Sequence, residues 1–510
     1  MKKRIMILSL LPLLVIAFSG VSQAWQGRMG GMGDPYGLLS DESSFLVHPA
    51  KVVNGEGVRF YGDYRFAYTG VTSWDYNLDQ YTPAGVLANY FQYDGSGQEY
   101  RHNVLVGAAF PLGSGRMGAF FTYDGLRGDY DGNEDILGTG NFAEYELTKD
   151  LDNFALRLLY GLPLGGGFNA GGEVEFAYRQ EENKNWMWLP TFVAWRTNYL
   201  FGTINAYDNL TPFQLPYDSS YWESLLKGSL DGKVGPLDLE FTLRGGFIFG
   251  GDNNLLLEES DGYFDAEGTV TGWRIGGDVW VRYPLTEDFS LPFLVRLDYQ
   301  HKARDGDSFG MGTLPPTDYY PYESQEQNLC LEAGGGVDKD FGTGTTIAGG
   351  IYYNYLQGNY DIEFMQIRPG GARIWDHSNY PASTEHRVIL RLAGEREFSP
   401  AVTLRMGLTP FVGWVTEDFT FTYTAAGTND TDDISLDGFR WGIGASLGGT
   451  FTFKPITLEP FVAFTYQQIK LDGDGDRTNI AGTITQLWEM DKSRDEWYVG
   501  GGCSFLYDMP

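Results

Sequence analysis

This sequence is short of cysteine, histidine and positive charge. Its 510 residues hold two cysteines and five histidines, with 36 basic side chains against 67 acidic ones. Cys330 and Cys503 fall on opposite faces of the alternating pattern described below, so no disulfide is expected between them. No Cys-x-x-Cys-His stands anywhere for a covalently attached haem. The histidines, at 48, 102, 301, 377 and 386, show no metal-ligand spacing, and neither a Ser/His/acid signature nor a phosphate-cradling loop stands out. No cofactor and no enzymatic activity are therefore expected. A net charge of −31 argues against nucleic acid as a partner. Beyond the N-terminus no run reaches about 18 uninterrupted apolar residues, which excludes a membrane-spanning helix.

What is present is glycine, tyrosine and phenylalanine, at 69, 33 and 34 residues, a balance that favours an all-β chain over a helical one. Met1-Lys2-Lys3-Arg4 followed by the apolar stretch from Ile5 to Phe18 and by Ser22-Gln23-Ala24 reads as a secretory signal peptide over 1–24, the mature chain beginning at Trp25. No cysteine follows that cut, so lipid anchoring is not expected. The destinations left are the periplasm, the outer membrane and the medium.

The organising unit runs from Asn153 to Arg179. Phe154, Leu156, Leu158 and Tyr160 alternate with Asn153, Ala155, Arg157 and Leu159; after a Gly/Pro turn, Val174, Phe176 and Tyr178 alternate with Glu173, Glu175 and Arg179. Successive strand side chains point to opposite faces, so one face is apolar and ends in aromatics while the other carries Arg and Glu. A wall with lipid outside and water inside has this pattern. The template recurs about sixteen times. Short connections at Pro111–Gly115, Gly161–Gly167, Gly235-Pro236, Pro284–Asp288, Lys339–Gly344, Phe398–Pro400 and Lys454-Pro455 alternate with long polar ones near 71–98, 125–152, 180–220, 251–269, 303–327, 358–384, 416–437 and 470–495. Trp273 and Tyr283, and again Trp497 and Tyr507, stand ten residues apart on one face, which at about 3.3 Å per residue and a tilt of roughly 40° spans about 25 Å. The expected fold over 57–510 is an all-β, transmembrane, antiparallel up-and-down β-barrel of about 16 strands, with short periplasmic turns and long extracellular loops. Its last strand, from Trp497 to Tyr507, resembles the C-terminal recognition strand of outer-membrane proteins.

Residues 25–56 are not barrel-like. Gly30, Gly33, Asp41 and His48-Pro49-Ala50 resemble the N-terminal hatch of FadL-like long-chain fatty-acid transporters, a pattern in which Asn stands where this chain has His48. The resemblance implies a small plug inside the barrel and hydrophobic cargo; a tether lying under the barrel mouth is the other reading of this segment.

On the polar face, Arg59, Arg65, Arg157, Glu173, Glu175, Glu240, Arg244, Arg296, Asp298 and Arg391 are expected to line a pore. Any one of them suits a cross-strand ion pair; as a set they imply water, because dry charges are costly. The apolar third outer connection, with Trp186, Trp188, Phe192 and Trp195, suggests a constriction or a lid. Asp472, Asp474 and Asp476 have the opening spacing of a calcium loop without its Gly and terminal Glu, so no metal site is expected there. Together these point to a porin-like outer-membrane channel for passive diffusion of small hydrophilic solutes, weakly cation-preferring because its loops are acidic. The rivals are a FadL-like transporter of hydrophobic compounds and a barrel sleeve for an exported partner such as a periplasmic cytochrome. Outer-membrane lipid and small solutes are the expected partners, and a homo-oligomer is compatible with the sequence.

Overall fold

The computed structural model describes residues 32, 38, 42–136, 142–188, 213–214, 217–259, 262–312, 319–342, 344–367, 373–425, 428–479 and 481–509. The signal peptide expected over 1–24 lies outside them. Sixteen long strands make one sheet. The first eight are β1 (Arg59–Tyr81), β2 (Leu87–Leu112), β3 (Gly115–Ile136), β4 (Phe142–Gly165), β5 (Phe168–Trp188), β6 (Tyr217–Val234), β7 (Leu237–Glu259) and β8 (Gly262–Pro284). The rest are β9 (Phe289–Gly312), β10 (Tyr319–Asp340), β11 (Thr345–Ile367), β12 (Arg373–Ser399), β13 (Val402–Ala425), β14 (Thr428–Phe453), β15 (Ile456–Thr478) and β16 (Ile484–Asp508). Phe213–Gln214 adds a two-residue ladder beside the ends of β5 and β7.

Every strand pairs antiparallel with its chain neighbours, and β1 pairs with β16 from Arg59↔Asp508 to Tyr81↔Leu487. The sheet therefore closes without a free edge, and the ladder satisfies its own backbone polar groups, as a wall in lipid requires. Among the described residues no helix is long and apolar enough to cross a membrane. At one end of the barrel the turns are tight. That between β4 and β5 uses three consecutive glycines at positive φ, Gly165, Gly166 and Gly167, where a Cβ would be strained.

The long polar connections expected from the sequence are mostly strand. β1 and β2 stay paired up to Tyr81↔Leu87, leaving 82–86 as the tip. β13 and β14 pair up to Ala425↔Thr428, and β15 and β16 up to Thr478↔Ile484. Past the apolar belt the outward face also turns polar, so the alternation that marks a strand in sequence fades; the ladder hydrogen bonds do not depend on it. A strand of 23 residues such as β1, tilted about 40°, rises roughly 58 Å, against about 25 Å for the apolar band of such barrels.

Inside the barrel stands the segment ahead of β1. Glu42–Leu46 and Pro49–Asn54 form two short 3-10 turns. Phe45, Leu46 and Val52 pack on the inward side chains Tyr61, Leu105, Ala109, Phe120 and Leu159, and Leu38 packs on Trp280, Leu294, Ala348 and Tyr352. Close approach is possible because the wall is bare there: a Cβ on Gly171 would collide with the backbone of Pro49 and Ala50, and one on Gly336 would stand 2.6 Å from Leu38 Cδ2.

Candidate functional site

The wall decides which solvent lies on each side. On β7, Leu243 and Phe247 are 56% and 70% exposed, while Glu240 and Arg244 on the other face are 4% and 7% exposed. In water such a distribution is inverted. It repeats around the circumference, with Leu156, Phe176, Ile275, Val295, Ile351, Met406 and Val462 all exposed. Aromatic rings bound the belt above, where Tyr68 lies 5.0 Å from Tyr100 and 4.9 Å from Trp497, and below, where Phe60 lies 6.3 Å from Tyr507. The protein is a bacterial outer-membrane β-barrel.

In its lumen, side chains from β3 to β8 bolt the N-terminal segment to the wall. Arg116 donates to the carbonyls of Gly55 and Gly57 at 3.1 and 2.7 Å, and Arg157 donates to that of Leu46 at 2.6 Å. Ala50 N donates to Ser229 Oγ at 2.7 Å. His48 sits at the centre of the remaining contacts. Its Nδ1 meets Thr242 Oγ1, and its Nε2 lies 3.1 Å from Glu240 Oε2 and 3.4 Å from Asp278 Oδ2. Lys51 takes the other oxygen of Glu240, and Arg244 takes the other oxygen of Asp278 at 3.1 Å. Burial, and then the nearby Lys51, Arg296, Arg244 and Lys227, hold the His48 imidazole well below its ordinary pKa. It is neutral, donating from Nε2 to the carboxylates and accepting from the Thr242 hydroxyl.

Six of the residues singled out from the sequence gather at this seat. Arg157 binds Glu173 at 2.8 Å; Lys227 bridges Glu173 at 3.0 Å and Glu175 at 3.5 Å; Glu240 holds His48 and Lys51; Arg244 binds Asp298 at 2.7 Å. Arg296 and Arg391 instead share Glu332, at 3.9 and 2.6 Å, with the Arg391 guanidinium 4.2 Å from the centre of the Tyr352 ring. Arg59 pairs with Asp508, and Arg65 with Asp63 at 2.9 Å. Sequence reasoning missed Thr242, Ser229, Arg116 and Lys51 as holders of the segment. The inward parity of the first three was their signal.

Towards the outer end the inward face mixes ion pairs, Lys302–Glu326 at 2.5 Å and Lys492–Glu417 at 2.9 Å, with apolar side chains. Ile248, Val270, Val415, Leu436, Leu471 and Trp488 are buried there, each on the face opposite the exposed belt residues of its own strand. Trp186 and Trp188 belong to the backbone of β5, opposite Glu146 and Glu144 of β4, whereas Phe192 and Trp195 lie outside the described residues. Asp472, Asp474 and Asp476 are not a loop. They lie in β15 on one extended face, successive side chains about 6.6 Å apart, and so do not wrap around a point as calcium ligands do. Among the described residues no three His, Cys, Asp or Glu side chains converge as a metal site.

No known protein family and no curated protein matches the sequence. Among solved structures it is similar to a deltaS2 mutant of the TodX monoaromatic hydrocarbon channel, at 10% identity over 96% of this chain and 99% of that one, TM-score 0.45. A Pseudomonas aeruginosa FadL homologue aligns at 11% identity, 95% and 98% coverage and TM-score 0.43. The Ralstonia pickettii toluene transporter TbuX aligns at 10% identity, 96% and 99% coverage and TM-score 0.37.

The porin-like reading, an open pore for small hydrophilic solutes with a weak cation preference, is overturned. In this barrel the segment 44–54 is packed into the lumen and tied there by its own and the wall's polar groups. The same segment takes the space that a sleeve would leave for an exported partner.

Proposed function

We propose that this barrel is a conduit for small hydrophobic compounds across the outer membrane. The observation that carries the reading is the internal plug beneath an outer lumen with apolar patches: Phe45, Leu46 and Val52 seal against β1 to β4, and above them Ile248, Val270, Val415, Leu436, Leu471 and Trp488 face inward among paired charges such as Lys302–Glu326 and Lys492–Glu417. An apolar solute is drawn to those patches by the surface it removes from water. His48-Pro49-Ala50, placed at the plug's seat, agrees with the hatch resemblance of the sequence. The ion pairs along the wall give the lumen a fixed shape. Buried pairs of this kind specify an arrangement more than they stabilise it.

The test is uptake by proteoliposomes. A radiolabelled monoaromatic hydrocarbon is expected to enter faster than into protein-free vesicles, while sucrose causes no swelling and a planar bilayer shows no steady ohmic current. Rapid sucrose swelling with no gain for the hydrocarbon would sink the proposal.

A further inference from the structure

Among the described residues three histidines face outward, and all three stand in the upper aromatic ring. His102 on β2 lies opposite Phe66, His301 on β9 opposite Trp273, and His386 on β12 opposite Tyr355 and Trp414. Each is held by an aromatic neighbour. Tyr64 and Tyr353 place their hydroxyls 3.0 and 2.6 Å from Nδ1 of His102 and His386, and the His301 ring stacks on Trp273 at 6.1 Å with 19° between the planes. Assigned with the phenol as donor, each hydroxyl bond leaves the ring proton on Nε2. His102 and His386 are exposed, and among the described residues no acceptor meets either Nε2.

The geometry points to His102, His301 and His386 as a docking ring for the phosphate groups of lipid headgroups in the outer leaflet. The level fits, because aromatic girdles mark the boundary where hydrocarbon gives way to headgroups. The chemistry fits too. An imidazole N–H is a donor that a Phe in the same ring lacks and that Tyr64 and Tyr353, their hydroxyls engaged by the histidines, do not offer, and a phosphate oxygen is its strongest partner at that depth. The neighbourhood explains why donors are needed. Above the ring the outer face carries Asp305, Asp437, Asp491 and Asp495, which repel phosphate, and the Arg127 guanidinium near His102 is already engaged by Asp150 and Asp152. Neutral polar groups surround His386, with Thr384, Thr416 and Gln357 on the same face.

Purified full-length protein in detergent, offered a diphosphorylated glucosamine lipid or its dephosphorylated form, tests this by native mass spectrometry. Wild type is expected to retain the phosphorylated lipid preferentially. H102F/H301F/H386F keeps the rings but loses the donors and is expected to bind that lipid about fivefold more weakly, with affinity for the dephosphorylated form unchanged. H102Q/H301Q/H386Q is expected to recover part of the difference. Equal retention of both lipids by wild type, equal affinity of the Phe variant, or full competition by inorganic phosphate would each overturn the proposal. The wild-type comparison stands even if the triple variants fail to fold.

Discussion

Leu158 sits on the outward face of β4, between Arg157 and Leu159, which point into the lumen. Placing a guanidinium there at mid-belt is expected to cost roughly 2–4 kcal/mol, read as a lower unfolding midpoint of Leu158→Arg in liposomes; an unchanged midpoint would mean the faces are reversed. His48 carries the corresponding test inside. Its folded pKa lies below the ordinary value of 6.5, so on acidification the unfolded chain takes up a proton before the folded one does. The stability it contributes is therefore whole above pH 6.5 and is lost as pH falls below it. Hydrogen exchange of the plug amides, corrected for intrinsic rate, should show protection declining below pH 6.5 in wild type and more weakly in His48→Asn. A pH-independent difference between the two would contradict this. The alternation of residues such as Leu243 and Arg244 was legible because lipid and lumen impose opposite demands on neighbouring positions. That His48 would meet Thr242, Glu240 and Asp278 was not legible, since nothing local in a chain records which distant strands will face one another.

Among the elements, the plug is the one whose removal reads most directly. The β1–β16 seam runs from Arg59 to Tyr81 and does not involve residues 42–54. A deletion of 42–54 is expected to leave a closed barrel that conducts ions steadily, and a silent trace from a folded deletion variant would show that something else stops the lumen. Gly171→Leu puts a side chain where Pro49 and Ala50 now lie. It is expected to unseat the plug without unfolding the wall, seen as protease sensitivity near residues 44–54 with unchanged heat-modifiable migration on gels. Sixteen strands and their short turns could be read from the sequence because belt, turn glycines and aromatic rings all have local signatures. The outer halves could not, because Asp472, Asp474 and Asp476 in β15, or Asp129 and Asp131 in β3, look like loop tips when both faces are wet.

At the scale of the whole molecule, the strands overrun the apolar belt by roughly 33 Å, the difference between a rise of about 58 Å and a band of about 25 Å. The pairings of β3 with β2 and with β4 continue without a register shift from one end to the other. A solute dissolved among the acyl chains passes beneath this chimney without meeting its opening. What enters must first be dissolved in the water above the cell surface, so the rate of capture should follow the aqueous concentration of the compound and not the much larger amount stored in the bilayer.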